Sequence, residues 1–197
     1  MSIKDKVHQI ESVFEALDQE ISRFQQETGL GCISGCGACC KKPDIEATVL
    51  EFLPLAYHLF KTGKDIDVLE KLEKINNAPP CTFFSTLLPS YQSGLCTIYL
   101  HRGLICRLFG FSATKDKEGR PVLATCKIIK TELSEKYKTA VQSIEEGGFV
   151  PIMNQYYMKL LAIDLDLGNR FYPINEAIRI AIEKVSLSCA YLEQEEV

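Results

Sequence analysis

Four cysteines fall within residues 32–40 of the stretch GCISGCGACCKKPD, and four more follow at Cys81, Cys96, Cys106 and Cys126. Thiolate sulfur is a soft ligand that selects zinc, copper(I) or iron–sulfur clusters over hard cations. Cys36-Gly-Ala-Cys39 is a C-x-x-C. Two intervening residues let both sulfurs turn to one ion, and the glycine permits the tight turn between them. A lone C-x-x-C would say little. With Cys32 and Cys40 beside it, and four further thiols in turn-rich sequence, metal ligation is the favoured reading.

Two accounts compete with it. Redox pairing would use the same thiols, although Cys39 and Cys40 make poor partners for each other. Neighbouring Cα atoms lie about 3.8 Å apart, below the roughly 4.4–6.8 Å that a disulfide spans. Unliganded core thiols are the third account, since cysteine is often buried. Core cysteines follow helix or strand periodicity, however, and these eight follow loops. Cys189 is the contrast: it shares a helix face with Ile174, Ile178, Ala181, Val185 and Leu192 and reads as a core residue. Adjacent side chains tend to point apart, so Cys39 and Cys40 are expected to diverge. That favours two metal ions, or one ion and one free or substrate-facing thiol.

Four thiolates around a dication are formally doubly negative and need amide N–H groups or cations nearby. Arg102 and Arg107 flank Cys106 and could bind the centre and favour its thiolates; the alternative is that both are surface arginines. His101 suits zinc or iron but reads as a packed residue, and His8 and His58 lie on helices away from the cysteines. Asp164 and Asp166, two apart on a helix, face different ways and read as solvated. No glycine-rich nucleotide loop and no Ser-His-Asp set appears in the sequence.

The elements that must position these groups read as mainly α, in an α+β class. Ile3, Val7, Ile10, Phe14, Leu17, Ile21 and Phe24 recur at helical spacing over about 3–28, with Ser2 to cap the start and Gly29 to end it. ATVLEFLPLAYHLFKTG reads as a second helix with a Thr48–Glu51 capping box, either kinked at Pro54 or regular only from there. DIDVLEKLEKINNAPP is a third, stopped by Asn-Asn and Pro-Pro. CRLFGFSATKDKEGRPVLATC reads as a hairpin turning at 116–119, which would bring Cys106 and Cys126 near its open base. Helices follow over about 128–146, 152–167 and 174–192. The expectation is one helical domain over 1–197, with a small, irregular, β-hairpin-containing cysteine-rich insert at about 30–130.

Composition narrows the function. The chain has 197 residues, 46% of them apolar, enough for an ordinary core. A net charge of −4, with no basic block beyond Lys41-Lys42, argues against nucleic acid as a partner. The N-terminus lacks the apolar run of a signal peptide, and no window approaches the roughly 18 apolar residues of a membrane span. A cytoplasmic location without membrane contact is therefore expected, and dense cysteine in a reducing compartment points to metal or catalysis rather than structural disulfides.

CISGCGACC, then PCTFF, then LCTIYLHRGLICRLFGF and the cysteine at 126 together resemble the CxxCxxCC family of zinc- or iron-chelating proteins, the YkgJ-like cysteine cluster proteins. The resemblance spans about 30–130. It implies that Cys36, Cys39, Cys40, Cys81, Cys96, Cys106 and Cys126 are cluster positions and that the cofactor is zinc or iron, an iron–sulfur cluster among its forms. Two departures stand out: three residues, not two, separate Cys32 from Cys36, and Gly103 stands where the family usually has proline. One branch resembles flagellin lysine methylases, which implies that some members are enzymes; this chain lacks the extra length expected of one. The readings carried forward are a metal-binding protein that stores, delivers or senses metal, an iron–sulfur enzyme of redox or group-transfer type, and a metal-free thiol switch.

Overall fold

The structure, a computed structural model, describes residues 1–86 and 94–195, the last five by backbone alone. Helix α1 (Ile3–Thr28) begins on a capping box: the Ser2 hydroxyl accepts from the Asp5 N–H at 3.1 Å, and the Asp5 carboxylate accepts from the Ser2 N–H at 3.2 Å. Gly29 ends it with φ 68°, donating its N–H to the Gln25 carbonyl. Val7, Ile10, Phe14, Leu17, Ile21 and Phe24 are all buried, the face that the spacing predicts.

After the cysteine loop comes strand β1 (Glu46–Thr48), then a 3-10 turn (Leu50–Phe52), then α2 (Leu53–Lys61). The Thr48–Glu51 capping box forms, with the Thr48 N–H 2.8 Å from Glu51 Oε1, but it closes the turn and not the helix. Pro54 sits in the first turn of α2, where its missing N–H has no partner to lose. Helix α3 (Asp65–Lys74) ends where Asn76 and Asn77 take φ of 48° and 54°.

The middle contains strands β2 (Phe84–Thr86) and β3 (Gly94–Cys96), paired antiparallel, then the one-turn helix α4 (Leu104–Leu108). Strands β4 (Ser112–Lys115) and β5 (Pro121–Ala124) form the expected hairpin, with Ser112 opposite Ala124 and Gly119 at φ 81° in the turn. It is shorter than expected. Cys106 lies on α4, because Leu104 and Leu108 point one helical turn apart into the core, both fully buried. Cys126 lies beyond β5, where its sulfur accepts from the Ile129 N–H at the start of α5 (Lys127–Glu132).

Two expected helices are each broken. The first becomes α5 and α6 (Ser134–Glu145), parted at Leu133. The second becomes α7 (Met153–Leu161) and α8 (Leu165–Gly168). Asp164 causes the second break: its side chain caps α8 by accepting from the Leu167 N–H at 2.9 Å and pairs with Lys6 at 2.6 Å. Asp164 is therefore a capping and pairing residue rather than a solvated one, while Asp166 is exposed. Strand β6 (Phe171–Pro173) pairs antiparallel with β1, and α9 (Ile174–Glu195) closes the chain. The sequence reading has neither strand of that pair, since three residues are too few to show a period of two.

One buried cluster joins α1, α2, α4, α6, α7 and α9. Helix α9 lies on α2, α3 and β1, and α1 lies on α2, α6 and α7. Cys189 packs at the edge of this core; the side chain of Leu192, placed on the same face by the sequence, lies outside the described residues. No described helix is long and apolar enough to cross a membrane.

Candidate metal centre

Glycines fold the 31–44 loop and dock it. Gly35 and Gly37 take φ of 69° and 56°, a region that residues with a Cβ rarely adopt. A Cβ on Gly37 would lie 2.5 Å from the Phe84 ring, and one on Gly94 2.4 Å from the same ring. Phe84 thus lies across two bare backbones, while the Gly94 N–H donates to the Gly35 carbonyl at 2.8 Å. This clasp sets Cys36, Cys39 and Cys40 against Cys96 at the end of β3.

Asn175, at the start of α9, holds the other side. Its Oδ1 accepts from the Thr82 N–H at 2.9 Å, and its Nδ2 donates to the carbonyls of Ala78 at 2.8 Å and Pro80 at 3.0 Å. Lys71 donates to the Thr82 carbonyl. The Cys81 N–H donates to the Cys40 carbonyl at 2.9 Å, which ties the two cysteine segments together. Cys106 arrives on α4, whose first turn is anchored by the buried Glu51 carboxylate accepting from the Ile105 N–H at 2.8 Å.

The result is a cleft of about 570 Å³ lined by Cys32, Cys36, Cys39, Cys40, Cys81, Cys96 and Cys106. Cys126 is not on it; its neighbour among the thiols is Cys32. The β4–β5 pairing stops at Ser112 and Ala124, so Cys106 and Cys126 both lie outside the hairpin, and Cys106 lines the cleft with Cys81, Cys39 and Cys96. Cys39 and Cys40, expected to diverge, both line the cleft, and the Cys40 thiol interacts with Cys39 and Cys96 there. All nine cysteines are free thiols.

Burial grades the thiols from mouth to floor. Cys32 and Cys39 are exposed, Cys36, Cys40 and Cys96 half-buried, and Cys81 buried. Cys106 is half-buried as a residue, yet its thiol is enclosed. Interaction with Cys40, which has a single proton to share between them, lowers Cys39 and Cys96, with the Arg102 charge acting in the same direction. The same contacts push Cys40 up, while burial pushes Cys81 up to about 11 and raises Cys106 too. Cys39 and Cys96 are thus thiols whose ionised form their surroundings favour.

Of the two arginines, Arg102 is on the cleft and Arg107 is off it. Arg107 is buried and spends its donors on the carbonyls of Arg102 and Leu100 and on Asp18, with its guanidinium over Phe14. It fixes the 100–107 segment to α1. His101 stacks on His58 with ring centroids 4.0 Å apart, beside a smaller hollow that also carries Glu11, Glu15 and Asp18.

In donor chemistry the cleft fits a soft ion: thiols of graded acidity, one guanidinium and little water access at the floor. Among the described residues no three Cys, His, Asp or Glu side chains already converge on one point. The thiols surround a space rather than a centre. Sequence reasoning missed Glu51, Asn175, Gly94 and Phe84. Only Glu51 carried a local cue, its place in the capping box; the others act across long chain separations.

A family model described as "CxxCxxCC: Putative zinc- or iron-chelating domain" matches residues 31–139, more than half of the chain. No curated protein and no solved structure matches it.

Proposed function

We propose a function from one premise: this chain belongs to the CxxCxxCC family, described as zinc- or iron-chelating. It is a cytoplasmic metal-binding protein whose thiol cleft holds zinc or an iron–sulfur centre and which stores, delivers or senses metal. The observation that supports this is the folding of seven cysteines, from four separate segments, onto one cleft. The ligands are drawn from Cys39, Cys40, Cys81, Cys96 and Cys106, with Cys32 and Cys36 on the same cleft. Cys126, beside Cys32, belongs to the outer group. Bound there, zinc supplies a fold-stabilising cross-link and an iron–sulfur centre supplies one-electron transfer as well. Arg102 offsets the negative charge of the thiolates, and the buried floor keeps water from the inner sulfurs.

Elemental analysis of anaerobically purified protein, with sulfide quantitation, tests this. Zinc without sulfide in a colourless protein, or iron with sulfide in a brown one, is the expected result and also separates the two. Cys39→Ser is expected to lower the metal content and Cys189→Ser to leave it unchanged. A protein that carries neither metal, and takes up neither on reconstitution, would overturn the reading.

A second reading, an enzyme with an open position at its metal, is favoured by the size of the cleft. A structural site fills all its positions with protein atoms and needs no open space beside them.

A further inference from the structure

The thiols occupy only part of their cleft. Elsewhere it is walled by Phe52, Phe109, Phe111, Ile174 and Ile178, brought together from the turn before α2, the α4–β4 connection and α9. Phe52, Phe111 and Ile178 are core residues. The 570 Å³ of space is many times the roughly 30 Å³ share of one water molecule. It falls within the roughly 300–1,000 Å³ of clefts that take small organic molecules, which are likewise mostly apolar with a few placed polar groups.

Arg102 is such a group. Its Nε is fully buried and has no hydrogen-bond partner among the described residues. Its guanidinium lies 3.7 Å over the Tyr99 ring, which holds its plane. Arg107, five residues on, has its nitrogens engaged by protein oxygens. A buried donor left without an acceptor is costly and calls for a partner. The planar guanidinium matches the two oxygens of a carboxylate. Hydrated inorganic anions would gain nothing from the apolar wall, and a second anion among the thiolates would be repelled. The carboxylate position is therefore at Arg102, with the rest of the ligand against the wall.

We propose that the cleft binds a small organic carboxylate with an apolar body, its carboxylate on Arg102 and its body against Phe52, Phe111 and Ile178. This rests on the metal reading only for what fills the thiol side, and it names the class of substrate or effector that would lie beside the metal.

Isothermal titration calorimetry of the full chain, in its metal-loaded form, tests it with hexanoate, hexanol, hexylamine and inorganic phosphate. Hexanoate is expected to bind at least about tenfold more tightly than the other three, the scale of one charge-assisted contact. Arg102→Gln is expected to bring hexanoate down to the level of hexanol. Ile174→Phe, which fills the apolar side at a half-buried position, is expected to weaken both. Hexanoate binding no tighter than hexanol in the unmodified protein overturns the inference, whether or not either variant folds. Unchanged hexanoate binding in Arg102→Gln at equal metal content overturns it as well. Metal content is read on every sample, so the two proposals fail separately. Carboxylate selectivity without metal sinks the metal reading alone, and metal without selectivity sinks this one alone.

Discussion

Gly103 is needed for space and not for its backbone angles. Its φ of −64° is open to any residue, proline included, but a Cβ there would lie 2.8 Å from the Phe52 ring and 3.0 Å from Glu51 Oε2. Phe52 is 1% exposed, and although its ring borders the thiol cleft it must shift to admit a Cβ. The glycine at 103 thus goes with the placement of Phe52 against α4. Gly103→Ala is expected to lose about 1–3 kcal/mol, the usual cost of overpacking a core, read as a lower urea midpoint. A variant as stable as the parent would mean that the ring yields. Glu51 carries a second residue-scale prediction. Burial lifts its carboxyl from the ordinary 4.5 to about 7, against the pull of the N–H donors of Ile105 and Thr48. Between those values the folded chain keeps a proton that the unfolded chain has released. The group's contribution is therefore full below pH 4.5 and lost as pH rises through 7, an amount of about 3 kcal/mol. Several thiols titrate at neighbouring pH, so the comparison is between the metal-free parent and Glu51→Gln, each unfolded in urea at pH 5 and pH 7.5. The parent should lose more stability over that interval than the variant; equal losses would remove Glu51 as the cause.

At the scale of elements, the cysteine segments are held by contacts to the helical body rather than by propensities of their own. The 77–82 segment is the clearest case. Asn175, 1% exposed, answers one N–H and at least two carbonyls of it from the first turn of α9. Asn175→Ala leaves the buried Thr82 N–H without its partner and hands the carbonyls of exposed Ala78 and Pro80 to water, at a cost of roughly 1–3 kcal/mol, that of one buried unpaired group. A lower melting point alone would say only that the residue is structural. The sharper readout is Cys81, the buried thiol of the set. In metal-free Asn175→Ala its alkylation, followed by mass spectrometry, should accelerate toward the rate of exposed Cys39. Cys81 that stays as protected as in the parent would show that the segment is held in some other way. The clasp of Gly35 and Gly37 on Gly94 and Phe84 has the same character: two short segments, each irregular alone, fit each other and nothing else.

At the scale of the whole molecule, periodicity made α1 and α9 legible, because each buries a stripe long enough to repeat. The β1–β6 pair was not legible, since each strand has three residues and its partner lies at the far end of the chain. The break at Asp164 depends on Lys6, which no local pattern connects to it. The thiols were legible as a set by type and spacing. Their division was not: Cys106 inside and Cys126 beside Cys32 follows from a one-turn helix and a hairpin shorter than its sequence suggested. That division bears on what metal removal does. Only Cys81 of the eight belongs to the buried core, with Cys40 and Cys126 at its edge; most of the rest of that core comes from helices. Small domains whose core is too poor to fold alone unfold when their metal is taken away. This chain has a core that does not need the ion, so its response should be local. On chelation, far-UV circular dichroism should keep its helical signal while the melting point falls. Hydrogen exchange should rise in 31–44, 77–86 and 94–106 and stay slow in α1, α2 and the first turns of α9. Collapse of the helical signal would mean that the ion holds the whole fold together. Unchanged exchange in the three cysteine segments would mean that no ion bridges them.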